Sequence, residues 1–369
     1  MARHFERGEE TIFGENPSSR LRKNLRPEGL SYRISRLGMG HVCHARALRR
    51  SFACGTFNAV IPFFFFLVGI CIGSFLNVCI ARIPEGLSIV SPGSRCPRCS
   101  KPIKPYDNVP ILGWLWLRGK CRNCRLPISL MYPVIEFLTG AMFVLTYYTF
   151  GLTLHTFKFL IFGCLLIVLI VTDLRVRILP DAINWPGFGV GLAFAARVPP
   201  DDPTGMALLV RLLRYFDLGY FRTHPGARFY LNTFLNVTDA LLGAAFGSLL
   251  LLWAAALYKL VRKREGMGMG DVKMMAMVGA FLGVRDTFLT IFLGTLLGSV
   301  AGIALVATLY AFGWKKRLAE RAYRRGLGEL SAIRWTLASQ YHLPLGTFLG
   351  IAAFLVVYAM PWILRRMFE

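Results

Sequence analysis

Long apolar runs recur through this chain, and they restrict its fold more than any other feature. A hydrocarbon core of about 30 Å takes about 20 consecutive apolar residues to cross as a helix. Runs that reach or approach that length lie at residues 57–80, 131–148, 154–172, 239–258, 287–312 and 345–361. A glycine-rich run at 181–196 and another from 266 through about 283 add two more. The expectation is an all-α polytopic membrane protein with about eight transmembrane helices.

The formal net charge of +23 would suggest nucleic acid in a soluble protein. Here the basic residues cluster in the loops between apolar runs, where they orient the chain. No basic patch alternates with an aromatic ladder, so no nucleic-acid partner is expected. The loop at 82–130 holds nine Lys/Arg against Glu85 and Asp107, and that at 313–342 holds seven against two Glu. Residues 259–270 are also basic, and the short link 174–179 carries Arg175 and Arg177. Eight spans put all four segments on one side, which the positive-inside rule makes cytoplasmic. The basic tail at 1–53 and the pair Arg365-Arg366 disagree with that arrangement. The tail has eleven Lys/Arg, five Glu and no sustained period, and reads as disordered. It does not read as a signal peptide, since its apolar stretch comes late and it is acidic as well as basic. A translation start nearer Met39 would also account for it. Residues 197–237 read as a polar insert.

Within this frame two acids stand out. Asp173 ends one apolar run, and Asp271 begins another after Gly268-Met269-Gly270. Ionisable residues at the membrane are rare and mark function by default. The topology puts both at the cytoplasmic boundary. Two carboxylates close together share a proton, so one can act as base on a water while the other polarises a carbonyl. Gly268 and Gly270 would allow a tight turn and the approach of a substrate strand. Lys273 is readable as an anchor at the headgroups or as a modulator of Asp271, with the anchor preferred. Structural alternatives stay open. Asp271 alone fits a helix cap, and Asp173 fits a salt bridge to Arg175 or Arg177. Asp181, after Pro180, fits a cap; Asp239 falls on the outer face. Asn77, near the end of the first span, fits a helix–helix hydrogen bond, and Gly69 and Gly73 give that span a small-residue packing face.

The cysteines carry a second signal. Cys96-Pro97-Arg98-Cys99 and Cys121-Arg122-Asn123-Cys124 are two CxxC pairs with 21 residues between them. Two such knuckles complete a closed four-sulfur zinc site, which would be structural because no ligand position is open. Cys71, Cys79 and Cys164 lie in apolar runs and read as small hydrophobes. The alternative for the tetrad is two separate redox motifs.

Taken together, these motifs resemble the prepilin peptidases, also called type IV leader peptidases. The resemblance rests on Gly73-Ser74-Phe75-Leu76-Asn77-Val78 with Arg82-Ile83-Pro84, on the tetracysteine loop from Ser94 to Cys124, and on Tyr132-Pro133-Val134-Ile135-Glu136. It continues in Thr172-Asp173-Leu174, Ile178-Leu179-Pro180-Asp181, Gly268-Met269-Gly270-Asp271-Val272-Lys273 and Pro344-Leu345-Gly346-Thr347-Phe348, all in order. It implies a multi-pass aspartic peptidase of the bacterial inner membrane with Asp173 and Asp271 as catalytic pair. It implies cleavage of a short basic leader from type IV prepilins or type II secretion pseudopilins. It also implies N-methylation of the new terminus with S-adenosylmethionine, although no glycine-rich nucleotide loop follows a strand here. On this reading, 54–152 holds the first spans and the zinc knuckles (94–126) as the methyltransferase part, and 153–363 is the peptidase domain. Rival readings are a peptidase without methylation, a presenilin-like protease sharing Gly-x-Gly-Asp, a transporter and a zinc-bearing scaffold. Thr172 before Asp173, and the lack of a Pro-Ala-Leu, count against the presenilin-like reading. The acids lie at the membrane edge rather than the midplane, which counts against a transporter.

Overall fold

Eight α-helices and two 3-10 turns make up the described chain, which covers residues 51–198, 225–263, 268–311 and 344–359 of a computed structural model. The helices are α1 (Ser51–Arg82), α2 (Leu112–Trp116), α3 (Met131–Phe150), α4 (Leu154–Val176), α5 (Asp181–Arg197), α6 (Pro225–Arg262), α7 (Met269–Ala311) and α8 (Leu345–Tyr358). Met1–Asn58 and Ala59–Glu369 are separate units. Of the first, only the opening of α1 is described, so the expected disordered tail lies outside the described residues, as does the loop 313–342.

Within the described residues all eight expected segments are helical, but five helices there are long and apolar enough to cross a membrane: α1, α3, α4, α6 and α7. The protein is a multi-pass membrane protein. α5 has 17 residues and α8 has 14, both short of a full span. The remaining difference in number comes from α7. At 43 residues a straight helix would run about 65 Å, twice the bilayer core. It is not straight, because Gly283 has φ 79° and ψ −179°. A Cβ on Gly247 of α6 would touch Met275 O at 3.0 Å and Thr287 Cγ2 at 2.8 Å. Twelve residues of straight helix would hold those two about 18 Å apart. The chain therefore folds back at Gly283, and the two apolar runs expected on either side of it are the two arms of α7. The Asp239 carboxylate fills the corner and accepts a 3.5 Å bond from the Val284 N–H, the start of the second arm.

The expected polar insert at 197–237 is described only at its two ends. Its last thirteen positions, from Pro225, are helical and run without a break into α6. Leu235 there is already buried, and no proline or glycine after Gly226 interrupts the helix until the spanning segment is reached. Arg197 closes α5, and residues 199–224 lie outside the described residues.

The helices pack around a main core, with a smaller cluster of Met142, Phe143 and Leu160 between α3 and α4. Phe162, Leu166 and Leu169 of α4 meet Met274, Met275, Met277, Val278 and Phe281 of α7, Leu349 of α8 and Ile183 of α5. Phe162 and Phe281 face each other at 4.7 Å between ring centroids. α1 and α3 pair through the predicted small-residue face, since a Cβ on Gly69 would lie 2.7 Å from Gly140 Cα. Asn77 makes the expected interhelical bond, donating to the Tyr132 carbonyl at 3.1 Å.

Candidate active site and tetracysteine loop

Asp173 stands on the last turns of α4 and Asp271 on the first turn of α7, each nearly buried at 6% and 8% exposure. The residue between them is Gly346 on the first turn of α8. A Cβ built there would lie 2.9 Å from Asp271 Oδ1 and 3.0 Å from Asp173 Oδ2. The two carboxylate oxygens are thus no further apart than those distances combined. The next residue orients one of them. Thr347 donates both its backbone N–H, at 2.7 Å, and its hydroxyl, at 2.9 Å, to Asp173 Oδ2. Three helices distant in sequence therefore converge on the acid pair.

The other predicted residues fall as follows. Gly270 faces the chain itself rather than open space: a Cβ there would come within 2.8 Å of Leu179 Cβ. Its clearance seats the link between α4 and α5 against α7. Among the described residues Gly268 has room, the nearest atoms being 3.9 Å from a built Cβ. Lys273 does not stand alone as an anchor, because its Nζ pairs with Asp181 Oδ2 at 2.6 Å. Asp181 is thereby a tether between α5 and α7. Asp271 sits inside the first turn of α7, which begins at Met269, rather than at the cap position. Gly346 and Thr347 were not singled out for the site by sequence, although both lie in the quoted Pro344–Phe348 motif.

The tetracysteine loop folds as two equivalent knuckles. In each, the N–H of the first cysteine donates across the turn: Cys96 to Lys101 O at 3.0 Å, Cys121 to Leu126 O at 2.9 Å. A second bond returns to that cysteine's carbonyl from Ser100 and from Arg125, both 2.9 Å, and both donors have φ near +55°. The shared geometry aims all four sulfurs at one point, and they lie within 4.8 Å of one another. Cys96 Sγ and Cys124 Sγ are 3.9 Å apart. Tetrahedral zinc with bonds of about 2.3 Å sets sulfurs about 3.8 Å apart, whereas a disulfide needs about 2.05 Å. The donor set and its spacing fit a four-thiolate zinc ion. Backbone N–H groups of Cys124 and Asn123 draw the Cys121 thiol down to about 7, while Cys124, despite the backbone bond at Leu126, is pushed up to about 11 by burial and the neighbouring thiols; the four sulfurs thus share their protons as one group. Arg122 clamps Asp107 through two bonds of 2.6 and 2.8 Å and holds that carboxyl below its ordinary range. Glu136 of α3, 7% exposed, accepts a 2.7 Å bond from the Ile111 N–H and so ties the loop to the spanning helices.

A helical multi-pass membrane protein with two buried acids meeting at the ends of its spans, and a four-cysteine loop between the first two, is a narrow class. Comparison with known proteins narrows it further. Residues 67–150 match the Bacterial Peptidase A24 N-terminal domain, and residues 160–303 match the Type IV leader peptidase family. The second match includes Asp173 and Asp271. The prepilin leader peptidase/N-methyltransferase of Myxococcus xanthus is 37% identical over 252 residues, which cover 68% of this chain and 65% of the relative. Proteins of the same name from Aeromonas hydrophila and Bacillus subtilis are 32% and 33% identical over 265 and 243 residues, covering 80% and 82% of their lengths and 65% and 66% of this chain. No solved structure matches the chain. The chain belongs to the type IV leader peptidase family.

Proposed function

We propose that this protein removes the short basic leader from type IV prepilins or type II secretion pseudopilins at the cytoplasmic face of the bacterial inner membrane. Asp173 and Asp271 are the catalytic pair, and the observation that carries this is Gly346, whose missing side chain leaves both carboxylates facing one small space. One carboxylate, ionised, takes a proton from a water, whose oxygen attacks the scissile carbonyl. Its partner, protonated, donates to the carbonyl oxygen. As the C–N bond breaks, the amine takes a proton and the acid form of the pair is restored, so no covalent intermediate forms. Thr347 acts by fixing the Asp173 carboxylate, and the Lys273–Asp181 pair by fixing α5 against α7. Gly268 remains the position at which a substrate backbone has room to approach.

Cys96, Cys99, Cys121 and Cys124 would hold a structural zinc, which when bound supplies a closed cross-link for a loop too small to build its own core. The same protein N-methylates the newly exposed terminus with S-adenosylmethionine as donor. The shared name of the relatives supports this second activity. The described residues contain no strand followed by a glycine-rich loop of the nucleotide-binding type. The test is incubation of the purified chain in proteoliposomes with a prepilin and a labelled methyl donor. Leader release and label on the mature product are expected. Asp173→Asn and Asp271→Asn should each lower cleavage by about 10²-fold or more. Cleavage retained in both variants would overturn the pair. Cleavage without label would remove the methyltransferase while leaving the peptidase.

A further inference from the structure

The helix α2 sits inside the tetracysteine loop, yet its outward face is apolar. Leu112, Leu115 and Trp116 are 64%, 57% and 82% exposed. They fall at i, i+3 and i+4, which is one side of a helix. Gly113 and Trp114 take the inward side, where the Trp114 indole N–H donates to Ile128 O at 3.2 Å. An uncovered patch of two leucines and a tryptophan is a poor surface to leave in water.

The depth at which α2 is moored says what covers it. The residue just before it, Ile111, is bonded through its N–H to Glu136 Oε2. Glu136 lies five residues into α3, about 7 Å along a helix that crosses the membrane. It is also within the α1–α3 contact, since a Cβ on Gly73 would lie 2.8 Å from Glu136 Cα. The N-terminus of α2 is therefore held below the start of a spanning helix, not out in the aqueous loop. Just past Glu136, Phe137 and Leu138 of α3 are exposed and apolar, as lipid-facing residues are. The charge of the loop agrees: nine Lys/Arg against two acids suit anionic headgroups, and Arg118 and Lys120 follow α2 directly. Tryptophan is the residue enriched at the boundary between headgroups and acyl chains.

We infer that α2 is an interfacial helix, with Leu112, Leu115 and Trp116 inserted at the headgroup–acyl boundary of the leaflet from which α3 starts, moored by the Ile111–Glu136 bond. The occupant of the exposed face is lipid. The tetracysteine knuckles are thereby held flat on the membrane surface. This inference is independent of the catalytic assignment.

The experiment uses the full chain in vesicles of phosphatidylcholine and phosphatidylglycerol, with acyl chains brominated either near the headgroup or near the chain end. The contribution of Trp116 is the emission lost in Trp116→Phe. Lipid brominated near the headgroup should quench that share more than lipid brominated near the chain end, and aqueous iodide should leave it nearly unchanged. Quenching by iodide and not by brominated lipid would place the face in water. Resistance to both would mean that a second copy or another protein covers it. Either result overturns the inference. If Trp116→Phe disturbs the loop, Leu115→Trp in the otherwise unchanged chain, read as the emission it adds, gives an independent reading from the same face, with the same expected and contrary outcomes.

Discussion

Gly346 matters to the site by what it lacks. With its hydrogen replaced by a methyl group, that methyl would press on Asp271 Oδ1 and Asp173 Oδ2 at once. The acids would have to separate or turn, and displacement of reacting groups by about 1 Å lowers rates on the order of 10²-fold. Gly346→Ala should therefore lower leader cleavage by about that factor while the protein inserts and keeps its metal. Turnover close to wild type, measured on purified protein of matched zinc content, would show that the acids do not use that space. Asp173 and Asp271 could be read from the chain because ionisable groups are rare at a membrane edge. Gly346 and Thr347 could not be read the same way, since glycine and threonine are everyday residues of packed membrane helices. Their part in the site exists only once α8 docks against α4 and α7.

At the scale of the element, α7 shows how one residue sets topology. Its two arms read in sequence as two apolar runs, and the residue at which they turn was marked only by a glycine. The fold needs that glycine for two reasons. Its φ of 79° with ψ of −179° is a conformation open essentially to glycine, costing another residue about 1–3 kcal/mol, and a Cβ would collide with the Asp239 carboxylate. Gly283→Ala should destabilise the protein by roughly 1–3 kcal/mol, read as a lowered melting temperature in detergent. An unchanged melting temperature would mean that the turn tolerates a side chain. Asp239 passed in sequence for a minor acid on the outer face, and its structural place beside the second arm could not be seen until the turn was in hand. The helix α2 escaped the sequence for a different reason. Five residues give too little periodicity to separate an interfacial helix from a loop.

For the whole molecule, the division between membrane helices and metal-stabilised loop predicts separable behaviour. One zinc per chain is expected. Removing it with a chelator, or by Cys96→Ser, should open the knuckles while the helix content of the spans stays unchanged. Acid should do the same. Protons compete with the metal for the four thiolates, so acid favours the metal-free loop. Zinc retained per chain, measured after dialysis at stepped pH, should be lost in the acid range; flat retention down to strongly acid pH would contradict the four-thiolate site. The knuckles were legible because the CxxC spacing itself encodes a two-thiolate turn. The mooring of the loop at Glu136 was not, because it depends on where Ile111 comes to rest.

The bond from Thr347 to Asp173 joins positions 174 residues apart. During synthesis, α4 and α7 emerge with both aspartates long before α8 exists. Until α8 is made, Asp173 lacks the two bonds from Thr347, and Gly346 is not yet between the carboxylates. Assembly of the acid pair is thus tied to synthesis of α8, and a product truncated before it would carry both acids without the residues that arrange them.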